Sequence, residues 1–208
     1  FEKGIGKEKE SRDLLSSVLQ TMLPPDDERK SNDWVTGKRD IKKDDVIIDI
    51  KTAWSFESFN KHLLSKPNET YLRQLDSYMD LWGIKDSLLC HVLVDTPHTL
   101  INDEIKRADW KYNILDVEGN VRDDMIEEVV KIVTNHLYTY KGVEEFCNQS
   151  NSVKLEWFDD FVELGKEERI HMIPHPYKPE RIEQRNECIK IAREYMETVK
   201  PINNITKF

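Results

Sequence analysis

The segment VIIDIK at residues 46–51 decides how the fold of this chain is interpreted. Successive side chains of a β-strand point to opposite faces, so Ile47, Asp49 and Lys51 share one face of this predicted strand. A carboxylate and an ammonium group are costly to bury unless they are paired or bind a metal ion. An apolar strand that carries both groups at one end therefore indicates a functional site.

The composition is typical of a globular protein without disulfide bonds. The chain has 208 residues, enough for one domain with its own core, and we expect a single domain over residues 1–208. The cysteines Cys90, Cys147 and Cys188 are far apart and odd in number, which argues against disulfides, zinc and iron–sulfur sites. We therefore expect a reducing location, the cytoplasm of a bacterial or phage-infected cell, and no membrane partner, because no apolar run approaches the ~20 residues of a membrane helix.

The net charge of −9 limits how the chain can bind nucleic acid. It argues against a protein that coats nucleic acid through bulk attraction, but it leaves room for an enzyme that holds DNA in a local basic groove. A metal site built from carboxylates also adds to the acidic total. The chain begins at Phe1, which we expect to be a processing or cloning boundary, and the sequence leaves open whether it is the native start.

Hydrophobic periodicity predicts an α/β fold in which helices flank a small central mixed sheet. A first helix carries a stripe through Glu8, Leu15 and Met22 and ends at Pro24-Pro25. A β-hairpin leads through a polar turn at 42–45 into the VIIDIK strand. Further strands are predicted at 87–94 and 168–173, further helices at 69–82, 100–109, 123–140 and 179–199, and a short helix or an ordered loop at 55–64.

Three further features join the VIIDIK strand. Asp40 lies on the preceding hairpin arm, where strand pairing can bring it beside Asp49. Glu8 lies on the apolar stripe of the first helix, and Gln74 and Tyr78 are four residues apart and share a helix face. Convergent carboxylates suit magnesium, and a metal-activated water with a nearby lysine is the equipment that phosphodiester hydrolysis needs.

These residues resemble the signature of PD-(D/E)xK nucleases of the RecB and lambda-exonuclease type. The matching elements are, in order, Gly37-Lys38-Arg39-Asp40, Asp49-Ile50-Lys51 and Gln74-x-x-x-Tyr78. The upstream Gly4-x-x-x-Glu8-x-x-Ser11 is similar to the first-helix motif of the YqaJ-type phage recombination exonucleases. Arg39 replaces the proline of the signature, and Ser11 replaces an alanine. The resemblance implies a restriction-endonuclease-like core.

The resemblance also implies a role for each matching position. Asp40 and Asp49 would be metal-binding carboxylates, and the backbone carbonyl of Ile50 would be a further ligand. Lys51 would be the catalytic lysine. Glu8 would complete the metal shell, with Glu10 as a rival that the sequence leaves open. Gln74 and Tyr78 would position active-site groups or the DNA backbone, and the metal would be Mg²⁺, with Mn²⁺ as a substitute.

Other residues receive weaker assignments. Lys38, Arg39, Lys61 and Arg73 are candidate phosphate contacts, although an ordinary surface role is equally consistent with the sequence. Trp54, directly after the strand, is a candidate DNA contact. The six histidines form no H-x-x-x-H pair on a predicted helix, so we expect them to have structural roles.

The leading hypothesis is a magnesium-dependent exonuclease that acts on double-stranded DNA in phage-type recombination. The resemblance implies digestion of linear duplex from 5′ to 3′, a single-strand annealing protein as a partner, and a ring of three subunits. Two alternatives stay open: an endonuclease or junction resolvase of the same superfamily, and a catalytically inactive DNA-binding or scaffold relative.

Overall fold

The computed structural model describes residues 2–26 and 28–199. Its strands are β1 (Arg29–Ser31), β2 (Thr36–Lys38), β3 (Ile41–Lys43), β4 (Val46–Thr52), β5 (Asp86–Val92) and β6 (Ile170–Pro176). Its helices are α1 (Glu2–Gly6), α2 (Glu8–Val18), α3 (Phe56–Leu64), α4 (Glu69–Trp82), α5 (His98–Tyr112), α6 (Ile126–Thr134), α7 (Tyr140–Gln149) and α8 (Pro179–Thr198).

The four-stranded sheet has the order β3-β4-β5-β6 and is mixed. The β3–β4 pair is antiparallel. The amide of Ala53 donates to Val92 O at 2.8 Å, which joins the carboxyl ends of β4 and β5 and makes that pair parallel. The amide of Leu93 donates to Arg169 O, and that of Tyr177 donates to Lys85 O, so β5 and β6 run antiparallel. The predicted α/β fold with a small mixed sheet is thus confirmed.

The β3–β4 hairpin has the tight connection that its sequence predicts. Lys43 is paired with Val46, which leaves Asp44 and Asp45 as a two-residue turn. Asp44 has φ of 51°, a left-handed conformation that aspartate tolerates better than most residues. This turn fixes the register of the hairpin, and the register decides which side chains share a face.

The chain divides into two compact units, each built from three separate segments. We call them unit 1 (residues 1–24, 50–67 and 90–173) and unit 2 (residues 25–49, 68–89 and 174–208). Unit 1 contains a core built by α5, α6 and α7, with the fully buried side chains Ile101, Val129, Val133 and Val143. Unit 2 contains the two-stranded β1–β2 sheet, α4 and α8. The single domain expected over 1–208 stays a prediction.

Several predicted boundaries are wrong. The first helix was expected to reach Met22, but α2 ends at Val18, Gln20 adopts a positive φ of 50°, and Met22 is exposed. The helix expected at 123–140 is a short 3-10 turn followed by α6, which ends at Thr134. A separate helix, α7, begins at Tyr140 and was not predicted.

Other predictions hold more closely. The predicted helix at 69–82 is α4, and Gly83 follows it with φ of 67°, as a C-terminal cap requires. The strand expected to end at Pro174 continues to Pro176, because β6 lies at the edge of the sheet, where proline is tolerated. Among the described residues, no helix combines the length and the apolar character needed to span a membrane.

Candidate active site

The hairpin of unit 2 brings two acidic residues into the same neighbourhood. Ile41 is the last residue of the pairing and is paired with Ile48, and Asp40 and Asp49 directly flank this pair. Asp40 itself lies at a bend just before β3. The backbone of Asp40 is held from outside the hairpin, because the amide of Asp26 donates to its carbonyl at 2.9 Å.

Asp49 is fully buried, whereas Asp40 and Lys51 are half-buried. Ile47 and Ile48, the residues before Asp49, are buried as well, so the carboxylate belongs to an apolar stretch of β4. The strand continues from Asp49 through half-buried Ile50 to Lys51. Alternation along this one strand puts the Lys51 side chain on the same face as Asp49.

Gln74 and Tyr78 of α4 are joined by a hydrogen bond within unit 2. The side-chain amide of Gln74 donates to the Tyr78 hydroxyl at 2.6 Å. The Tyr78 ring lies against Gly37 of β2, where a Cβ atom would come within 2.8 Å of Tyr78 Cε1. Glycine at 37 is therefore what lets the tyrosine ring approach the strand this closely, which links two elements of the sequence signature.

Arg39 occupies the position of the signature proline and is buried. Its Nε donates to Asp26 at 2.6 Å, its Nη2 donates to Glu28, and its guanidinium lies 4.8 Å from the centre of the Trp82 ring. These contacts lie within unit 2 and favour a structural role for Arg39. Its role as a phosphate contact stays a prediction.

Glu8 is the first residue of α2, and its side chain is 64% exposed, 3.9 Å from Arg12. The side chain of Glu8 therefore does not share the burial of the apolar stripe on which it was placed. Ser11 and Leu15 are the buried residues of that stripe, and the Ser11 hydroxyl is 2.8 Å from that of Thr52 in β4. Thr52 alternates to the face opposite Lys51, so this contact does not by itself direct Glu8 to the catalytic face. The rival Glu10 is also exposed and pairs with Lys7 at 2.6 Å.

Trp54 is 36% exposed and is held by contacts within unit 1. Its ring meets His136 edge to face with centroids 5.8 Å apart, and its carbonyl accepts a hydrogen bond from Lys3 Nζ at 3.0 Å. Burial lowers the pKa of Lys3 to about 7, although the charge of Asp95 opposes this shift. A partly exposed tryptophan ring remains available to a ligand at this place.

The remaining cationic candidates lie at the surface. Lys38 is exposed at the end of β2. Lys61 of α3 is exposed and pairs with Glu57 at 3.1 Å. Arg73 of α4 is exposed and lines a cavity of about 480 Å³ in unit 2, together with Arg181, Arg185 and Cys188 of α8. Whether these side chains contact DNA stays a prediction.

The two carboxylates of the hairpin fit a hard divalent cation. Magnesium is commonly bound by one or two carboxylates and keeps several waters, and a carboxylate as deeply buried as Asp49 gains most from a cation. Across residues 2–26 and 28–199, no three histidine, cysteine, aspartate or glutamate side chains form a metal-binding group. A metal held by Asp40 and Asp49 would therefore take its other ligands from backbone oxygens, water or substrate.

Three histidines that were expected to have structural roles lie together in unit 1. They are His62 of α3, His91 of β5 and His171 of β6. No motif links them, because they come from distant segments of the chain. The sequence showed only that His91 is two residues from both Leu89 and Leu93, so that the three side chains share one face of a strand.

No family model and no curated protein matches the chain. Comparison with solved structures identifies the crystal structure of a phage-related exonuclease from Haemophilus somnus 129PT. The match has a TM-score of 0.56 and 19% sequence identity, and it covers 93% of this chain and 69% of that chain. The chain is similar in fold to that exonuclease. At this level of identity the likeness concerns the fold, and it agrees with the fold class predicted from the sequence.

Proposed function

We propose that the protein is a metal-dependent deoxyribonuclease, an exonuclease that hydrolyses the phosphodiester bonds of linear duplex DNA. The register of the β3–β4 hairpin carries this proposal, since Asp40 and Asp49 flank the paired residues Ile41 and Ile48 and β4 continues to Lys51. The similarity in fold to a phage-related exonuclease supports it.

Each residue of the site has a distinct task in this proposal. Asp40, Asp49 and the Ile50 carbonyl hold Mg²⁺ or Mn²⁺. Such an ion, when bound, lowers the pKa of a coordinated water and offsets charge on the phosphate. Lys51, on the same strand face as Asp49, orients the attacking water and donates to a phosphate oxygen. Glu8, whose side chain is exposed, is proposed to contribute to the metal shell only through a coordinated water.

Gln74 and Tyr78 are proposed as positioning residues. Their mutual hydrogen bond fixes both side chains, and the close fit of Tyr78 over Gly37 holds the ring in place. A preorganised pair of this kind can orient the DNA backbone or an active-site group without the entropic cost of ordering two free side chains.

The biological setting rests on the sequence resemblance. Digestion from 5′ to 3′, a role in phage-type recombination, a single-strand annealing partner and a ring of three subunits are all proposals on that basis. A ring would allow an acidic exterior to coexist with a basic channel, which suits a chain with a net charge of −9.

Digestion of defined DNA substrates tests the proposal. Linear duplexes labelled at the 5′ or the 3′ end, single strands and closed circles are incubated with Mg²⁺ or Mn²⁺ and the wild type, Asp49→Asn or Lys51→Ala. Asp44→Asn is the matched control, because Asp44 is an exposed turn residue of the same hairpin. We expect the wild type and Asp44→Asn to digest linear duplex and both site variants to lose activity by at least about a hundredfold.

Two outcomes would overturn the proposal. Equal survival of linear DNA with the wild type and the site variants, across both metals and both ends, would show that the hairpin is not catalytic. Nicking of closed circles by the wild type would replace the exonuclease with an endonuclease that uses the same residues.

A further inference from the structure

The imidazole rings of His62, His91 and His171 form a stack in unit 1. The rings of His62 and His91 are nearly parallel, with centroids 3.9 Å apart and planes inclined by 11°. His171 continues the stack on the other side, with its centroid 6.3 Å from that of His91 and planes inclined by 17°. His91 is buried, whereas His62 and His171 are half-buried and form the accessible ends of the stack.

Strand register sets this stack beside Lys51. The hydrogen bond from Leu93 N–H to Arg169 O fixes a β5–β6 register in which His91 lies opposite His171. The bond from Ala53 N–H to Val92 O fixes a β4–β5 register that aligns Ala53 with Leu93, and hence Lys51 with His91. Side chains aligned in this way share one face of the sheet.

Packing of α3 confirms that these side chains share a face. Ala53 and Leu93, one step along the same face, form a buried cluster with Phe59 of α3. His62 follows Phe59 by about one helical turn, so both side chains project from the same side of α3. The row Lys51, His91, His171 is therefore covered at its centre by His62.

The surroundings of the stack favour uncharged rings when no ligand is present. Burial and, after it, positive charge on His62, His171 and Lys51 lower the pKa of His91 to about 4. Burial and the charge of His171 also lower the pKa of His62. An anion placed at the stack favours the protonated form of nearby imidazoles, so anion binding and proton uptake are coupled there.

The geometry of the rings argues against a metal ion as the ligand. The ring nitrogens lie in the planes of the rings, so nearly parallel stacked rings cannot all direct their lone pairs at one central ion. In the described part of the chain, no three histidine, cysteine or acidic side chains make such a group. Half-exposed imidazole edges can instead donate N–H groups to an oxyanion at the surface of the stack.

We propose that His62 and His171, with Lys51, hold a phosphate group of the DNA substrate on this face of the sheet. The inference rests on the proposed function and adds a subsite to it. His91 acts as a positioning residue, because its buried ring holds the His62 ring by stacking and lies beside His171. The bound phosphate would be one that flanks the scissile bond, since Lys51 ends the row.

Metal-free DNA binding tests the subsite without requiring catalysis. Fluorescence anisotropy of a labelled blunt duplex is measured in EDTA at about pH 6 and about pH 8 with the wild type, His62→Gln, His171→Gln and the double variant. His98→Gln is the matched control, because His98 is a half-exposed histidine of unit 1 that pairs with Gln149 at 3.0 Å, outside the stack.

We expect the double variant to bind the duplex about tenfold more weakly than the wild type at the lower pH. The wild type and His98→Gln should bind several-fold more tightly at about pH 6 than at about pH 8, and the double variant should lose this difference. Equal affinity of the double variant and the wild type at both pH values would overturn the subsite.

Histidine ring resonances of the wild type provide a second measurement that needs no variant to fold. Addition of the same duplex in EDTA should shift two of the six histidine signals and raise their titration midpoints, and unchanged signals would overturn the subsite. The subsite and the nuclease proposal fail separately. If the histidine variants bind DNA more weakly but the wild type does not digest DNA, the nuclease proposal is refuted. If the wild type digests DNA and the double variant His62→Gln/His171→Gln has the same DNA affinity and kinetics, the subsite is refuted.

Discussion

Unit 2 contains two buried aspartates, Asp76 and Asp49, whose surroundings differ. Asp76 of α4 is 2% exposed, and its carboxylate lies 2.7 Å from His175 Nε2 and 3.5 Å from Arg181 Nη1. Asp49 of β4 is fully buried, and it follows Ile48, which is paired with the neighbour of a second acid, Asp40. The carboxylate of Asp76 thus lies among basic side chains of its own unit, whereas Asp49 belongs to a hairpin that brings a second acid into its neighbourhood.

We propose that this difference separates a structural acid, Asp76, from a functional one, Asp49. Burial alone does not, because both carboxylates are equally inaccessible. Asp76 ties α4 to β6 and α8 through its partners, which is what a stabilising buried ion pair does. Two acids brought close together favour a bound cation, which offsets the repulsion between them.

The largest expected effect is on the rate of DNA digestion and concerns Asp49. Asp49→Asn should lower the rate of DNA digestion by about a hundredfold to a thousandfold, because it removes a charge that the proposed metal needs. Asp76→Asn should retain most of the activity per folded molecule. Single-turnover digestion, corrected for the folded fraction by circular dichroism, measures both.

The second effect is on the free energy of unfolding, for which a change at Asp76 should matter more than a change at Asp49. Asp76→Ala removes the partner of His175 and Arg181 and should lower the free energy of unfolding by about 3 kcal/mol. Asp49→Ala should cost less in the metal-free protein, because the role proposed for this carboxylate is to bind a metal rather than to stabilise the fold. Urea unfolding in EDTA measures the stability of both variants. A larger loss of stability for Asp49→Ala than for Asp76→Ala would reverse the structural and functional roles assigned to the two aspartates.

A third effect is the loss of stability in acid, to which unit 1 contributes through its buried histidines. Burial lowers the pKa of both His91 and His136 to about 4 in the folded protein. The unfolded chain takes up these protons near its ordinary pKa of about 6.5, so stability is present above that pH and is lost as the pH falls toward 4.

Urea midpoints measured from about pH 7 to about pH 4.5 should therefore decrease steadily. His136→Gln should flatten this decrease, since a glutamine cannot take up the proton. An unchanged slope in this variant would show that His136 does not contribute. The Thr96 hydroxyl, 3.2 Å from His136 Nδ1, remains available to the glutamine amide.

The smallest expected effect concerns the surface. Lys61→Ala breaks an exposed ion pair with Glu57 and should change the free energy of unfolding by less than about 0.5 kcal/mol. If Lys61 also contacts a DNA phosphate, the same variant should reduce the salt dependence of DNA binding by about one ion. An unchanged salt dependence would remove Lys61 from the DNA-binding surface.

The parts of the fold that local sequence determines were predictable. The Val-Ile-Ile run, the turn residues Asp44 and Asp45, and the alternation through Lys51 all act within a few residues, and together they specify the hairpin. The same is true of α4, where Asn68 caps the first turn and Gly83 ends the helix. The position of Asp40 and Asp49 beside the paired residues Ile41 and Ile48 followed from that hairpin.

The predictions that failed concern features that depend on contacts between distant segments of the chain. The helix predicted through residue 140 is interrupted because Asp95 accepts hydrogen bonds from the Tyr138 amide and the Thr139 hydroxyl, and Thr139 then caps α7. Glu8 was expected to lie on the apolar stripe of its helix, but its side chain is exposed, whereas Ser11 of that stripe contacts Thr52 of β4. The histidine stack could not be predicted either, since three strand or helix positions far apart in the chain must first be brought together.

Direct measurement of metal binding tests whether Asp40 and Asp49 hold a cation, without relying on catalysis. Mn²⁺ is titrated into the wild type, Asp40→Asn, Asp49→Asn and Asp76→Asn, and free Mn²⁺ is followed by electron paramagnetic resonance. We expect the wild type and Asp76→Asn to bind Mn²⁺ alike and each hairpin variant to bind it at least about tenfold more weakly. Equal Mn²⁺ affinity of the wild type and both hairpin variants would show that Asp40 and Asp49 do not form a metal site.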